Sequence, residues 1–565
     1  MNLVQEDLRR RNGVTVLIFE QMCAAEKRRR RKRGLLEDPS LRPFINRAVC
    51  ENCGDCSRQS NCLSVIPVDT ELGRKRAIDQ SSCNKDFSCL DGFCPAFVTV
   101  AGGQLNRRHS SAVDSDFPSL PVPDLPEYEH TYNILLTGIG GTGVVTVGAL
   151  LGMAAHLQGG GVTVLDMTGL AQKYGAVVSH IRIARSPQEI NAMRIPAGKA
   201  DALLACDLVV ATGLETLAKL NRESTRAVIN SHLTMTAAFL QNKDITFPTD
   251  DLRTELRRNT RESHFVDASH MARQLLGDAI GANLFMVGYA WQKGLLPLTL
   301  EGIERAIELN GVSVESNKSA LLWGRRAAEY ANLVEKMMHP VEPRTEPVDL
   351  KSIIVQRVAL LTRYQDTQYA RRYERLIRRV EAKQQKLNRC GLAETVARGY
   401  ARILAYKDEY EVARLFSLPE FKQQLSSTFS GDYKLNFKIV LPLIARIDRA
   451  SGRPRRHRAG PWMMPLFKLL SKLKALRQTR WDPFAHSADR RLERQLILDY
   501  ESMLELLLAH LSADNFDDAV AIAQTADEIR GFGPVKRAAA DRVRARQRQL
   551  MDRYLARQPL GRIAA

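Results

Sequence analysis

The sequence predicts an α/β protein in three parts. A cysteine-rich segment comes first, then a doubly wound parallel sheet, then a mostly helical, basic C-terminal domain. Three observations predict this. Seven of the ten cysteines lie between Cys50 and Cys94. From residue 132 to about 335, apolar strand-like runs alternate with helical patterns, and the first run leads into a glycine-rich turn. Beyond residue 350, apolar residues recur at three-and-four spacing with charged outer faces.

The chain has 565 residues, which at roughly 100–200 residues per domain means about three to five domains. Its 44% hydrophobic and 26% charged residues are the balance of a folded chain. No stretch reaches the roughly 18 apolar residues that cross a bilayer. The first thirty residues contain Asp and Glu and lack a signal-peptide apolar core. A cytoplasmic protein with no membrane segment is therefore expected.

The elements follow in order. Residues 1–35 hold one strand-like run at 13–20 (GVTVLIFE), too little for a domain, then Cys23 and the basic run KRRRRKR at 27–33. Residues 36–106 are rich in Cys, Asp, Asn, Ser and Gly and need metal to hold them together. Residues 107–130 are polar and Pro-rich, a linker. The next domain, 131–335, predicts strands at 133–137, 161–166, 176–184, 203–212 and 227–230. Its helices are predicted at 144–157, 268–293 and 299–310. Pro340, Pro343 and Pro347 mark a second linker. The last domain, 350–565, predicts helices at 371–387, 392–406, 491–511 and 516–529, an N-cap at Asp514 or Asn515, and an extended element at 431–447.

The net charge is +19, and residues 331–565 carry 44 Lys+Arg against 27 Asp+Glu. A basic chain attracts anions, whether nucleic acid, phosphorylated cofactors or acidic proteins. The run at 27–33 reads as a solvated or subunit-contacting face, as a patch steering an acidic partner, or as a nucleic-acid patch. The second basic run, RPRRHR at 453–458, reads as a solvated face. Trp462, Trp481 and Phe484 lie near it, yet no nucleic-acid recognition fold accompanies them.

The clustered cysteines are spaced Cys50-x2-Cys53-x2-Cys56-x5-Cys62, then Cys83-x5-Cys89-x4-Cys94-Pro95. Three thiolates at x2-x2 spacing wrap one cubane, and a distant Cys-Pro completes it. One division gives Cys50, Cys53, Cys56 and Cys94 to a [4Fe–4S] cluster and leaves Cys62, Cys83 and Cys89 for a second. The remainder is one thiolate short. A three-iron cluster, a carboxylate such as Asp86, or a ligand from another subunit would complete it, and a single cluster with three structural cysteines is the other option. Tetrahedral zinc sites also use C-x2-C pairs, but the triple spacing favours iron–sulfur. Cys23, Cys206 and Cys390 read as small buried hydrophobes.

Gly138, Gly140, Gly141 and Gly143 form a G-x-G-G-x-G turn between a strand and a helix. Gly138 permits the turn, Gly140 lets a phosphate approach the backbone, and Gly143 lets helix and strand pack. Asp166 ends the next predicted strand, 23 residues after Gly143, where an acidic residue meets the ribose of NAD. A nicotinamide or flavin dinucleotide is the reading from spacing alone. A turn used only for packing is its alternative.

Residues 132–184 (YNILLTGIGGTGVVTVGALL…VTVLDMTGLAQKYGAVVSHIRIA) resemble the gamma domain of 2-oxoacid:ferredoxin oxidoreductases. Residues 46–100, with all seven clustered cysteines, resemble the cluster segment of the long fused indolepyruvate ferredoxin oxidoreductases of bacteria. Residues 13–34 resemble the exit from that family's thiamine-diphosphate domain. The tail motifs SGR (451–453), WDPF (481–484) and RGFGPVK (530–536) resemble its C-terminal domain.

The resemblance implies oxidative decarboxylation of a 2-oxoacid such as indolepyruvate. Electrons pass singly through one or two iron–sulfur clusters to ferredoxin, and the acyl group goes to coenzyme A. Residues 138–143 and 168–179, with Lys173 and Tyr174, shape the face toward the thiamine domain or coenzyme A. No catalytic acid or base is assigned. No Gly-Asp-Gly thiamine-diphosphate motif occurs in this sequence. Thiamine diphosphate and Mg are therefore expected in a partner subunit or missing domain of an oligomer, and the isolated chain is not expected to decarboxylate. The rival functions are a NAD- or flavin-linked iron–sulfur oxidoreductase and a nucleic-acid-binding protein with a structural metal cluster.

Overall fold

Six strands form the central sheet of the computed structural model, which describes residues 2–106, 117–169, 175–235, 238–338, 349–440 and 453–556. In chain order, the strands before it are β1 (Leu41–Ile45), β2 (Val65–Val68), β3 (Lys75–Ile78), β4 (Phe97–Ala101) and β5 (Gln104–Leu105). The six are β6 (Thr131–Ile139), β7 (Gly161–Thr168), β8 (Ala176–Ala184), β9 (Ala202–Ala205), β10 (Arg226–Asn230) and β11 (Glu262–Val266). They lie in the order β11-β10-β9-β6-β8-β7. Both faces are covered, which is why β6, β8 and β9 are buried along almost their whole length. Ile134, Leu136, Leu204 and Val228 point into one core with helices Val144–Leu157, Ala282–Gln292, Leu300–Asn310 and Val314–Glu329. Leu135, Leu203, Ala227 and Ile229 point into the other, against Leu208, Ala211 and Leu256.

The sheet is mixed, which corrects the expected all-parallel arrangement. β6, β9, β10 and β11 run parallel, but β8 is antiparallel to both β6 and β7. The seven residues between Thr168 and Ala176 are too few for a parallel crossover, which takes about a dozen, so β7 and β8 form an antiparallel pair. β8 therefore separates β7 from β6. The run at 203–212 is not one strand either. β9 ends at Ala205, and Asp207 starts helix Leu208–Ala211 by accepting the Val210 N–H at 2.9 Å. The helical stretch at 268–293 is broken by Gly277, whose φ of +76° ends helix Ala268–Leu276. Helices Ala282–Gln292 and Val314–Glu329 cross closely. A Cβ on Gly288 would sit 1.9 Å from Leu321 O, and one on Gly324 would sit 1.9 Å from Phe285 O.

The cysteine-rich segment shares a sheet with the C-terminal region. Its order is β1-β4-β13-β14, where β13 is Lys434–Ile439 and β14 is His457–Ala459; β12 (Phe429–Ser430) pairs with β5. β13 runs antiparallel to β4, with Leu435 opposite Val100. Phe416, Phe437 and Phe467 pack with Val98 and Val100 in that core. The extended element at 431–447 is thus a strand up to Ile439, and 441–447 lie outside the described residues. Helices Leu350–Tyr364, Thr367–Lys386, Leu392–Leu404, Ala488–His510, Phe516–Gln524 and Pro534–Ala556 enclose a separate core in which Tyr373, Tyr400 and Tyr500 stack at 5.9 Å. Asn515 does not cap its helix by side chain. Its Oδ1 accepts the Ser512 N–H and its amide donates to His510 O.

The N-terminus differs from expectation. Residues 13–20 form no strand; they are extended and exposed between helices Asn2–Arg10 and Ala24–Lys32, with Val14 98% exposed. The segment pairs with no strand among the described residues, so its apolar pattern produces no ladder. No helix among the described residues is long and apolar enough to cross a membrane.

Candidate metal centre and glycine-turn cavity

The seven clustered cysteines are all free thiols, with Cys50, Cys56, Cys89 and Cys94 buried and Cys53, Cys62 and Cys83 half-buried. The loop carrying the first three is fixed by local backbone. Asn52 and Gly54 take positive φ, and the Asn52 N–H points at Cys50 Sγ, 3.4 Å away. Helix Asp55–Ser60 then places Cys56 one turn on.

The thiols fall into two groups. Burial first, then the charges of Cys56 and Cys50, push Cys53 up to about 12. Burial and Cys50 push Cys56 up to about 11. Cys94 is pushed up by burial and then by Cys53, Cys50 and Cys56. Cys83 rises to about 11 through burial, Cys62 and Asp86. Cys89 rises through burial and then Cys83, Cys62 and Cys56. Electrostatically, Cys50, Cys53, Cys56 and Cys94 act on one another, and Cys62, Cys83 and Cys89 act on one another together with Asp86. Backbone N–H groups of Asp55, Ser57, Ala96 and Lys85 favour the charged sulfur of Cys53, Cys56, Cys94 and Cys83 respectively.

Buried thiols that are neutral when bare, yet receive N–H donors, suit ligation in which iron replaces the proton. No three Cys, His, Asp or Glu side chains among the described residues gather at the distances of one metal ion. A cubane gives each thiolate its own iron and asks only that the sulfurs surround one volume.

Segments from elsewhere close over these loops. Asp55 accepts the Phe93 N–H at 2.7 Å and pairs with Arg453 at 3.1 Å. Arg456 donates to Leu90 O at 2.8 Å and to Gly92 O at 2.5 Å, and Lys438 donates to Leu90 O at 3.0 Å. The run at 453–458 was expected to be a solvated face. Arg453 and Arg456 instead clamp the cysteine loops, because the carbonyls of 90–92 have no sheet partner and the Asp55 carboxylate is buried. The motif at 530–536 packs on the same place. The Gly531 N–H donates to Glu51 at 3.1 Å, and a Cβ on Gly533 would lie 2.7 Å from the Phe93 ring. In the basic run at 27–33, Arg28 and Arg31 donate to Ser82 O and Asn84 O, so that helix docks beside Cys83. Cys206 is buried as expected. Cys23 and Cys390 are exposed, each sitting at a helix start rather than in a core.

A cleft of about 620 Å³ opens beside Cys53, lined by Arg58, Lys243, Arg530, Arg542 and Arg546 together with Asp244. Sequence reading missed it, because its cations come from three distant segments.

The glycine turn lies at the end of β6. A Cβ on Gly138 would meet Val144 Cγ2 at 2.6 Å, and Gly141 and Gly143 take φ of +84° and +100°. The Gly140 N–H donates to Gly175 O at 2.7 Å, so this donor is already used. Gly140, Gly141 and Thr142 line a cavity of about 370 Å³ with Asn230, His232, Arg273 and Asn283, and with Arg28, Ser82 and Asn84 from the cysteine-rich side. Arg273 Nη2 lies 2.9 Å from His232 Nε2, and His232 Nδ1 lies 3.2 Å from Asp267. These side chains follow β10 and β11, at the C-terminal strand ends where open α/β sheets bind ligands, and that rule was the signal in the sequence. Asp166 is not beside the turn. It lies on the edge strand β7, two strands from β6, and accepts the Ser179 hydroxyl. The dinucleotide reading loses its acidic partner. Lys173 and Tyr174 lie outside the described residues.

The mixed sheet, its glycine turn and the strand-end cavity form one α/β region around residues 133–327. Those residues match the family Pyruvate ferredoxin/flavodoxin oxidoreductase. Residues 350–549 match DUF6537, a family of unknown function. Among curated proteins, the chain is similar to "Indolepyruvate oxidoreductase subunit IorB" of Thermococcus kodakarensis, with 28% identity over 205 residues, covering 35% of this chain and 96% of the relative. The protein of the same name from Archaeoglobus fulgidus is 28% identical over 202 residues, covering 35% and 94%. Among solved structures, the pyruvate oxidoreductase subunit PORC of Thermotoga maritima is 20% identical, covers 35% of this chain and 97% of its own, and has a TM-score of 0.26.

Proposed function

We propose that this chain is the electron-transfer and gamma portion of an indolepyruvate-type 2-oxoacid:ferredoxin oxidoreductase. The observation that carries the reading is the meeting of seven free thiols in two groups within one chain with a gamma-type region. Cys50, Cys53, Cys56 and Cys94 hold one [4Fe–4S] cluster; Cys62, Cys83 and Cys89 serve a second centre. When bound, such clusters take and release one electron at a time, which suits oxidation of a 2-oxoacid in single-electron steps. The protein's own residues supply the rest. Burial keeps water from Cys50, Cys56, Cys89 and Cys94, backbone N–H groups favour the charged sulfur of Cys53, Cys56, Cys83 and Cys94, and Arg453 and Arg456 hold the two cysteine loops together. The cavity at Gly140 and Gly141, in the turn that also carries Gly138 and Gly143, accepts a phosphate-bearing group such as coenzyme A, with Arg273 and Arg28 as its cations. Thiamine diphosphate and Mg sit on a partner, and ferredoxin is the electron acceptor. Residues 36–106 and 131–335 are the cluster and gamma units, and 350–565 is a helical unit lending strands and arginines to the first.

The test is iron, acid-labile sulfide and visible absorbance on the full chain purified without oxygen. About seven or eight iron per chain with matching sulfide is expected. Colourless protein with stoichiometric zinc overturns the electron-transfer role.

A further inference from the structure

One guanidinium beside the first cysteine loop lacks the partner its burial calls for. Arg76 lies on β3 and is 1% exposed. Its Nε donates to Asn52 Oδ1 at 2.7 Å, inside the Cys50–Cys53 loop. Its Nη2 reaches Lys243 O at 3.5 Å, and its plane lies 3.9 Å from the centre of the Phe239 ring. Its Nη1 is buried with no hydrogen-bond partner among the described residues. Asp244, the nearest carboxylate acting on it, is itself paired with Lys243 and Arg530. The charges that favour the guanidinium most are the sulfurs of Cys56, Cys50 and Cys53. A buried cation is retained only where an opposite charge faces it.

We propose that Arg76 is the built-in counter-charge of the iron–sulfur centre held by Cys50, Cys53, Cys56 and Cys94, and that it raises this centre's reduction potential. The inference rests on the cluster reading given above. Adding one electron to a cluster adds one negative charge to a water-poor volume, and a fixed cation there favours the reduced form. The other nearby charges do not create the same bias. Arg456 acts near Cys94 and Lys438 near Cys89, and Asp91 opposes both. Around the second set, Asp86 faces Cys83 and Cys89, while Lys85 is paired with Asp38 at 2.5 Å. Arg28 and Arg31 stand beside the second set through Ser82 O and Asn84 O. The electron that reduces the first centre comes from a donor oxidised in the same step, and Arg76 offsets the charge it adds.

The test uses the full chain purified without oxygen, with iron and sulfide counted first. Reduction potentials are then followed by electron paramagnetic resonance and visible absorbance in wild type, Arg76→Met, Arg76→Gln and Arg76→Lys. Expected is a drop of at least tenfold in the reduction equilibrium of one centre in Arg76→Met and Arg76→Gln, about 59 mV for one electron. The other centre stays put, and Arg76→Lys keeps the wild-type value. If Arg76→Met fails to fold, the Gln and Lys pair decides, and equal potentials in those two overturn the proposal. Wild-type iron content with unchanged potentials in Arg76→Met overturns Arg76's role and leaves the cluster reading standing. A wild-type chain that carries no iron overturns both.

Discussion

The carboxylate of Asp55 accepts the backbone N–H of Phe93 at 2.7 Å, and so ties the loop of Cys53 and Cys56 to the loop of Cys94. The same carboxylate holds Arg453, 398 residues further along the chain. A four-thiol site assembled from two distant loops depends on such a tie. Asp55→Ala is expected to lose about 2–3 kcal/mol of local stability, the worth of hydrogen bonds to a buried charge, and to lower iron content on purification. Asp55→Asn keeps an acceptor for Phe93 and is expected to retain more iron than Asp55→Ala. Equal iron in wild type and Asp55→Ala would remove this tie from the account.

The crossing of helices Ala282–Gln292 and Val314–Glu329 depends on Gly288 and Gly324. Gly288→Ala is expected to cost at least the ~3 kcal/mol upper end of ordinary overpacking, because the clash at 1.9 Å is with backbone and no side chain can yield. Gly148→Ala is the control. Its Cβ meets only Val164 Cγ1 at 3.5 Å and atoms beyond, and alanine favours the helix by about 1 kcal/mol. Thermal melting should show a lowered midpoint for the first and an unchanged or raised one for the second.

Histidines make the gamma-type region sensitive to mild acid. Burial, and then Lys219, hold His180 below its ordinary value, and its Nδ1 accepts the Ile195 N–H at 3.2 Å, which requires the neutral ring. Burial likewise lowers His264 and His270. For a base whose folded pKa is depressed, the unfolded chain binds more protons, so stability is fully present above the unfolded value of about 6.5 and is lost as pH falls through it. The melting midpoint is expected to fall between pH 7.5 and pH 5.5. His180→Gln should flatten that slope. A midpoint that rises on acidification would contradict the assignment.

In the helical C-terminal region, Arg477 meets Asp408 through contacts of 2.6 and 2.9 Å, with both side chains 3% exposed, and stacks 3.9 Å from the Tyr364 ring. Removing one partner strands a buried charge. Asp408→Ala or Arg477→Met alone is expected to cost about 3–5 kcal/mol, whereas the double substitution Asp408→Leu with Arg477→Met should cost less than the sum of the two. Denaturant titration of the four proteins closes that cycle.

Local chemistry in the sequence determined much of this protein. The glycine turn, helix 144–157, the strands of β6 and β8 and the cysteine spacing follow from short-range rules, since positive φ, apolar period and ligand spacing are properties of neighbouring residues. The tertiary structure decided what distant segments do to one another. It placed β8 between β6 and β7, put β13 beside β4, turned Arg453 and Arg456 inward, and buried Arg76 against Asn52 of the Cys50–Cys53 loop. It also denied residues 13–20 a strand partner. A charge run or an apolar run has the same local pattern whether it meets water or a buried loop, and only the energy of contacts made across hundreds of residues distinguishes the two.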